Sequence, residues 1–70
     1  MKTIIDQIND CPNNMVDILE LREPVADYIK SIVELFSIGL IKAESADKII
    51  LEVEIPFRKK IQELRNSLLN

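Results

Sequence analysis

One apolar stripe at helical spacing runs through the segment from Ala43 onward, and it limits the possible folds more than any other feature. Read at 3.6 residues per turn, its members fall within about 120° of one helix face; they are Ala46, Ile49, Ile50, Val53, Phe57, Ile61, Leu64 and Leu68. Residues 51–57, LEVEIPF, also alternate apolar and polar side chains, as a half-buried strand does. A strand needs another to pair with, and SIGLI, the available segment, is short and interrupted by Gly39. The sequence therefore predicts a helix over residues 43–69.

Pro56 lies inside this predicted helix. Because proline has no N–H, it cannot bond to the carbonyl of Glu52, and its ring crowds the preceding turn. We expect the helix to be kinked near Pro56, or to be split there with Pro56 opening a second segment.

Residues 24–38 carry the second strong helical pattern. Pro24 suits the first position of a helix, and Gly39 suits the left-handed backbone that ends one. Between them, seven apolar side chains fall within an arc of about 160°. Since the connection to the next helix is short, helices 24–38 and 43–69 should be antiparallel neighbours.

The N-terminal residues predict two short helices. Thr3, with an acidic residue three positions later, is typical of a capped helix start and predicts a helix over residues 4–10. Pro12 interrupts it, and Asn14 can cap a second helix over residues 15–21.

The predicted fold is therefore all-α, a small helical bundle in a single domain of residues 1–70. It comprises an antiparallel helical hairpin, about 24–38 and 43–69 and kinked near Pro56, with the two short N-terminal helices packed across the outer half of the long helix. A chain of 70 residues buries only about 60% of its unfolded surface, so the core should be thin.

Composition argues against an enzyme. The chain has no histidine, the commonest general base, and its single glycine cannot build a glycine-rich phosphate loop. One cysteine, Cys11, permits neither an internal disulfide nor a Cys/His zinc site. We expect no catalytic residue, cofactor or metal. A thiol-dependent sensor using Cys11 stays open as an alternative, although a buried structural cysteine is the commoner case.

The charge distribution argues against nucleic acid as the partner. Residues 1–35 carry three basic and seven acidic side chains, while residues 36–70 carry six basic and five acidic ones. Phosphate backbones attract basic surfaces, so an acidic first half and a nearly balanced second half disfavour nucleic acid. A dimeric helical DNA-binding repressor is the runner-up function, because Gly39 between two helices also suits a helix-turn-helix. Its weakness is that the second helix would present the negative charges of Glu44 and Asp47 to the negatively charged phosphates.

Targeting signals are not evident in the sequence. The N-terminal segment is acidic by residue 6 and has no long apolar run, and no stretch of about 18 apolar residues could span a bilayer. We expect a cytoplasmic protein that does not bind membranes.

Three apolar residues of the last helix fall outside its stripe: Leu51, Ile55 and Leu69. Either a short N-terminal helix covers Leu51 and Ile55, or they contact a partner. We expect the contact with a partner. The protein would then be a small non-enzymatic protein-interaction module that acts as a regulator, inhibitor or assembly subunit. It would dock an apolar helix face on another protein or on itself, as a homodimer or other homo-oligomer, with no small-molecule substrate; the acidic first half would suit a basic partner surface.

Overall fold

The computed structural model describes residues 2–69, and within that range all regular secondary structure is helical. Helix α1 spans Ile4–Asp10, α2 spans Met15–Ser37 and α3 spans Ala43–Leu69. The predicted all-α class and small helical bundle are confirmed.

Helix α1 begins and ends as its sequence predicts. The Thr3 hydroxyl accepts a hydrogen bond from the Asp6 amide at 3.1 Å, and the Asp6 carboxylate accepts one from the Thr3 amide at 3.4 Å. This reciprocal pair satisfies two of the amides that a helix start leaves free. An ion pair of 2.9 Å between Lys2 and Asp10 spans the helix.

Helix α2 corrects the predicted division at Pro24. Asn14 caps it, accepting a hydrogen bond from the Asp17 amide at 3.0 Å, but the helix then continues through Pro24 to Ser37. The prediction of separate helices over residues 15–21 and 24–38 is wrong, and residues 2–69 contain one short N-terminal helix where two were expected.

The apolar pattern explains why α2 continues. Ile18 and Leu21 before the proline and Val25 after it are all buried in one core cluster. A proline inside a helix costs about 3 kcal/mol, while fully burying each such aliphatic side chain stabilises the fold by about 1.5–3 kcal/mol. Aligning the three side chains on one face outweighs the missing hydrogen bond.

The turn between α2 and α3 follows the prediction that Gly39 ends the helix. Gly39 adopts φ 82°, the left-handed backbone that glycine favours. Its amide donates to the Phe36 carbonyl at 3.0 Å, and the Leu40 amide donates to the Leu35 carbonyl at 2.9 Å. These two bonds make a Schellman ending, which satisfies carbonyls that the helix end would otherwise leave free.

Helix α3 confirms the helical interpretation of LEVEIPF and contains Pro56 in its interior. The alternative in which Pro56 splits the helix is wrong, because the side chains on either side of it, Val53 and Phe57, pack against the same core. The kink near Pro56 stays a prediction.

The core lies where all three helices meet. Its buried members are Ile8, Cys11, Ile18, Leu21, Val25 and Val53. Towards the turn, only α2 and α3 are present, and the buried side chains there are Ile32 and Ala46. The molecule is elongated, with extents of 46 × 23 × 15 Å.

Candidate interaction surface

An apolar groove runs between α2 and α3, with a volume of about 330 Å³. Its walls come from one stretch of each helix: Arg22, Val25, Ala26 and Ile29 of α2 and Glu54, Phe57, Arg58 and Ile61 of α3. Within the described chain, no residue of α1 lines it. The groove is therefore a part of the α2–α3 surface that α1 leaves uncovered.

Further apolar side chains extend this groove along α2. Met15, Leu19, Val33 and Phe36 are each between 46 and 50% exposed. At 100° per residue they lie within roughly 100° of one another, on the side of α2 that carries Ala26 and Ile29. We call this surface the open face, defined by Met15, Leu19, Ala26, Ile29, Val33 and Phe36.

Charged groups from both helices border the groove. The Glu54 carboxylate and the Arg58 guanidinium form an ion pair of 3.4 Å one turn apart, and Arg22 approaches from α2. Because long arginine side chains can lay their stems along apolar surface while the charge stays in water, these residues form a rim and do not close the groove.

The open face was missed in the sequence, although its pattern is present there. Met15, Leu19, Arg22, Ala26, Ile29, Val33 and Phe36 follow one another in alternating steps of four and three residues. This is the heptad spacing of a helix–helix seam. It was hidden because Pro24 divided the segment into two predicted helices, each too short to display the repeat.

The three residues predicted to contact a partner lie on α3. Leu51 is 42% exposed, Ile55 61% and Leu69 81%. The alternative in which an N-terminal helix covers Leu51 and Ile55 is wrong, since α1 packs on the core cluster of α2 and α3 instead. Relative to Val53, Leu51 and Ile55 point to the opposite side of the helix from the core. Their role as a contact stays a prediction.

Cys11 is buried at the end of α1, where its thiol donates to the Pro12 carbonyl with a sulfur–oxygen distance of 3.4 Å. Burial raises the pKa of this thiol, the carboxylates of Asp17 and Glu20 raise it further, and Lys60 opposes them. Thiolates are the nucleophilic form of cysteine, so this environment disfavours a reactive sulfur.

We expect the folded protein to resist thiol labelling. With dithionitrobenzoate at neutral pH, Cys11 should react at least about tenfold more slowly than in the same protein unfolded by guanidinium, because both access and thiolate population are reduced. Equal rates in the two conditions would revive the thiol-sensor hypothesis.

The raised pKa of the Cys11 thiol also predicts how the stability of the fold depends on pH. A thiol whose pKa is raised in the folded state contributes stability that is complete below the unfolded pKa of about 8.5. That contribution is lost as pH rises through the higher folded value. Chemical denaturation at increasing alkaline pH should therefore show declining stability, and Cys11→Ala should reduce the decline.

Within residues 2–69, no three cysteine or acidic side chains are grouped so that they could hold a metal ion. Over the same range, none of the helices combines the length and apolar character needed to cross a membrane.

No protein-family model matches the chain, and comparisons with curated proteins and with solved structures give no match either.

Proposed function

We propose that the protein is a small non-enzymatic protein-interaction module that docks through the open face. The observation that carries this proposal is the groove between α2 and α3, extended by four half-exposed apolar side chains on one side of α2. Such contiguous apolar surface bordered by charges is typical of sites that bind another protein.

The open face suits this role better than the pair formed by Leu51 and Ile55. A docking helix needs a depression to fill, and the groove provides one with walls from both α2 and α3. Leu51 and Ile55 instead project from the outer side of a single helix, so they offer less area to bury. Acting as a regulator, inhibitor or assembly subunit within the cytoplasm is compatible with either surface.

Site-specific photo-cross-linking tests the proposal. A benzoylphenylalanine at position 33 or at position 19, each introduced in the full chain in cells that express it, should give a covalent adduct with whatever protein docks. The matched control is the same group at Ser31, which is exposed on the opposite, polar side of α2. Adducts from positions 19 and 33 that exceed those from position 31 support the proposal, whether the captured protein is a second copy or another polypeptide.

Two outcomes would contradict it. Equal, background yields at all three positions would mean that nothing docks on the open face. If Leu51→Asp with Ile55→Asp removed the adducts while circular dichroism showed unchanged helix content, the docking site would include the outer pair instead of the open face alone.

A further inference from the structure

We infer that the occupant of the open face is a second copy of this chain, with α2 packed antiparallel against α2 of that copy around a two-fold axis. This inference rests on the proposed function and names its partner. It requires that the α2 surface be complementary to itself when turned end to end, and three properties of the surface meet that requirement.

The first property is the heptad spacing along α2. A seam in alternating steps of four and three residues keeps one side of a helix against a neighbouring helix over its whole length. An axis at the level of residues 26–29 brings Ala26 against Ile29 of the second copy and Leu19 against Phe36 of the second copy. It also brings Arg22 against Val33 of the second copy, where the arginine stem can lie along the apolar side chain while its guanidinium stays at the rim in water. The small Ala26 near the middle permits close approach, and the larger side chains lie towards both ends.

The second property is charge complementarity. Glu23 and Lys30 are exposed at the edge of the seam, seven residues apart and hence at the same heptad position. Neither takes part in an ion pair within residues 2–69. Antiparallel pairing about the same axis sets Glu23 within a turn of Lys30 of the second copy, twice by symmetry, whereas parallel pairing would set each charge level with its own equivalent.

The third property is the surface area. The chain exposes 5341 Å², while a folded monomer of 8.1 kDa is expected to expose about 4,500 Å². The excess, roughly 800 Å², equals the area that each partner buries in a protein–protein interface of standard size. A two-fold dimer that buries this area from each copy would leave each copy exposing about as much surface as a compact monomer of its own mass.

Sedimentation equilibrium of the purified full chain is the test. We expect a mass of about twice 8.1 kDa at high concentration. Leu19→Asp with Val33→Asp should give the monomer mass with its helix content retained, since both side chains are half-exposed. Leu51→Asp with Ile55→Asp is the matched control, because it places the same two charges on the outer side of α3, and it should leave the dimer intact.

Charge reversal provides a test that does not depend on the apolar variants folding. Glu23→Lys alone, or Lys30→Glu alone, replaces two attractive pairs by two repulsive ones and should weaken dimerisation about 5- to 30-fold. The two reversals combined should restore most of the lost affinity, because the pairs are then re-formed with exchanged signs.

Two results would overturn the inference: a monomer mass at the highest soluble concentration, or a dimer insensitive to the charge reversals and to Leu19→Asp with Val33→Asp. A monomer that still cross-links to a different protein from position 33 would leave the proposed function standing. A monomer without cross-links would end both proposals.

Discussion

Replacing Ile8 by alanine should lower the free energy of unfolding by about 2–5 kcal/mol, the usual range for removing most of a buried isoleucine side chain. Ile8 is 1% exposed and is a member of the core cluster contributed by α1. A helix of seven residues does not form on its own in water. Its contact with α2 and α3 is therefore what keeps α1 folded.

The loss should be visible as a fall in the midpoint of thermal unfolding of about 10–30 °C, measured by circular dichroism, given the sensitivity of domains this small. Asn9→Ala is the matched control, because Asn9 is exposed in the same helix, and its effect should stay within about 0.5 kcal/mol. All samples need the same protein concentration, since self-association adds to apparent stability. A change below about 1 kcal/mol for Ile8→Ala would mean that α1 is not packed as described.

The short signals at helix ends allowed good prediction from the sequence. Thr3, Asn14 and Gly39 each act through hydrogen bonds or backbone angles within a few residues, and the start of α1 and both ends of α2 follow from them. Such local rules need no knowledge of the tertiary fold. The stripe in α3 was equally informative, because 27 residues of regular spacing leave few alternatives to a helix.

The prolines mark the limit of that approach. Pro24 and Pro56 both satisfy local criteria for a helix start or break, yet both lie inside helices. The deciding energy is the burial of side chains on either side of each proline in one shared core, which a local pattern does not reveal. The mistaken break at Pro24 also concealed the open face, so one local error hid the candidate docking surface.

Tertiary packing also explains why the sequence pointed to a different surface from the open face. The sequence separates apolar residues that fit a stripe from those that do not, and it therefore singled out Leu51 and Ile55. Most residues of the open face fit the apolar pattern of α2 but stay exposed among residues 2–69, because α1, with seven residues, is too short to cover both sides of the α2–α3 layer. Which part of a wide apolar arc stays uncovered depends on tertiary packing and is not encoded in the periodicity of one helix.

Replacing Pro24 by alanine should stabilise the protein by about 2 kcal/mol. An interior proline costs a helix about 3 kcal/mol relative to alanine, and the alanine amide can donate to the Glu20 carbonyl. Against this, the proline stiffens the unfolded chain, an advantage of about 0.4–1 kcal/mol that the substitution removes. Since α2 is already continuous through this position, the substitution restores a missing hydrogen bond without requiring a new backbone path.

Urea denaturation of Pro24→Ala and of Pro12→Ala, at matched protein concentration, separates the cost of a proline inside a helix from its stiffening of the unfolded chain. Pro12 lies between α1 and α2, outside any helix. Its replacement should only raise the conformational entropy of the unfolded chain, which lowers the free energy of unfolding by less than about 1 kcal/mol. Opposite signs for the two substitutions would show that α2 tolerates Pro24 at a cost, because the buried residues on both sides hold the helix together. If Pro24→Ala instead destabilised the protein, the half-buried proline ring or a bend that it imposes would be required for α2 to follow the core.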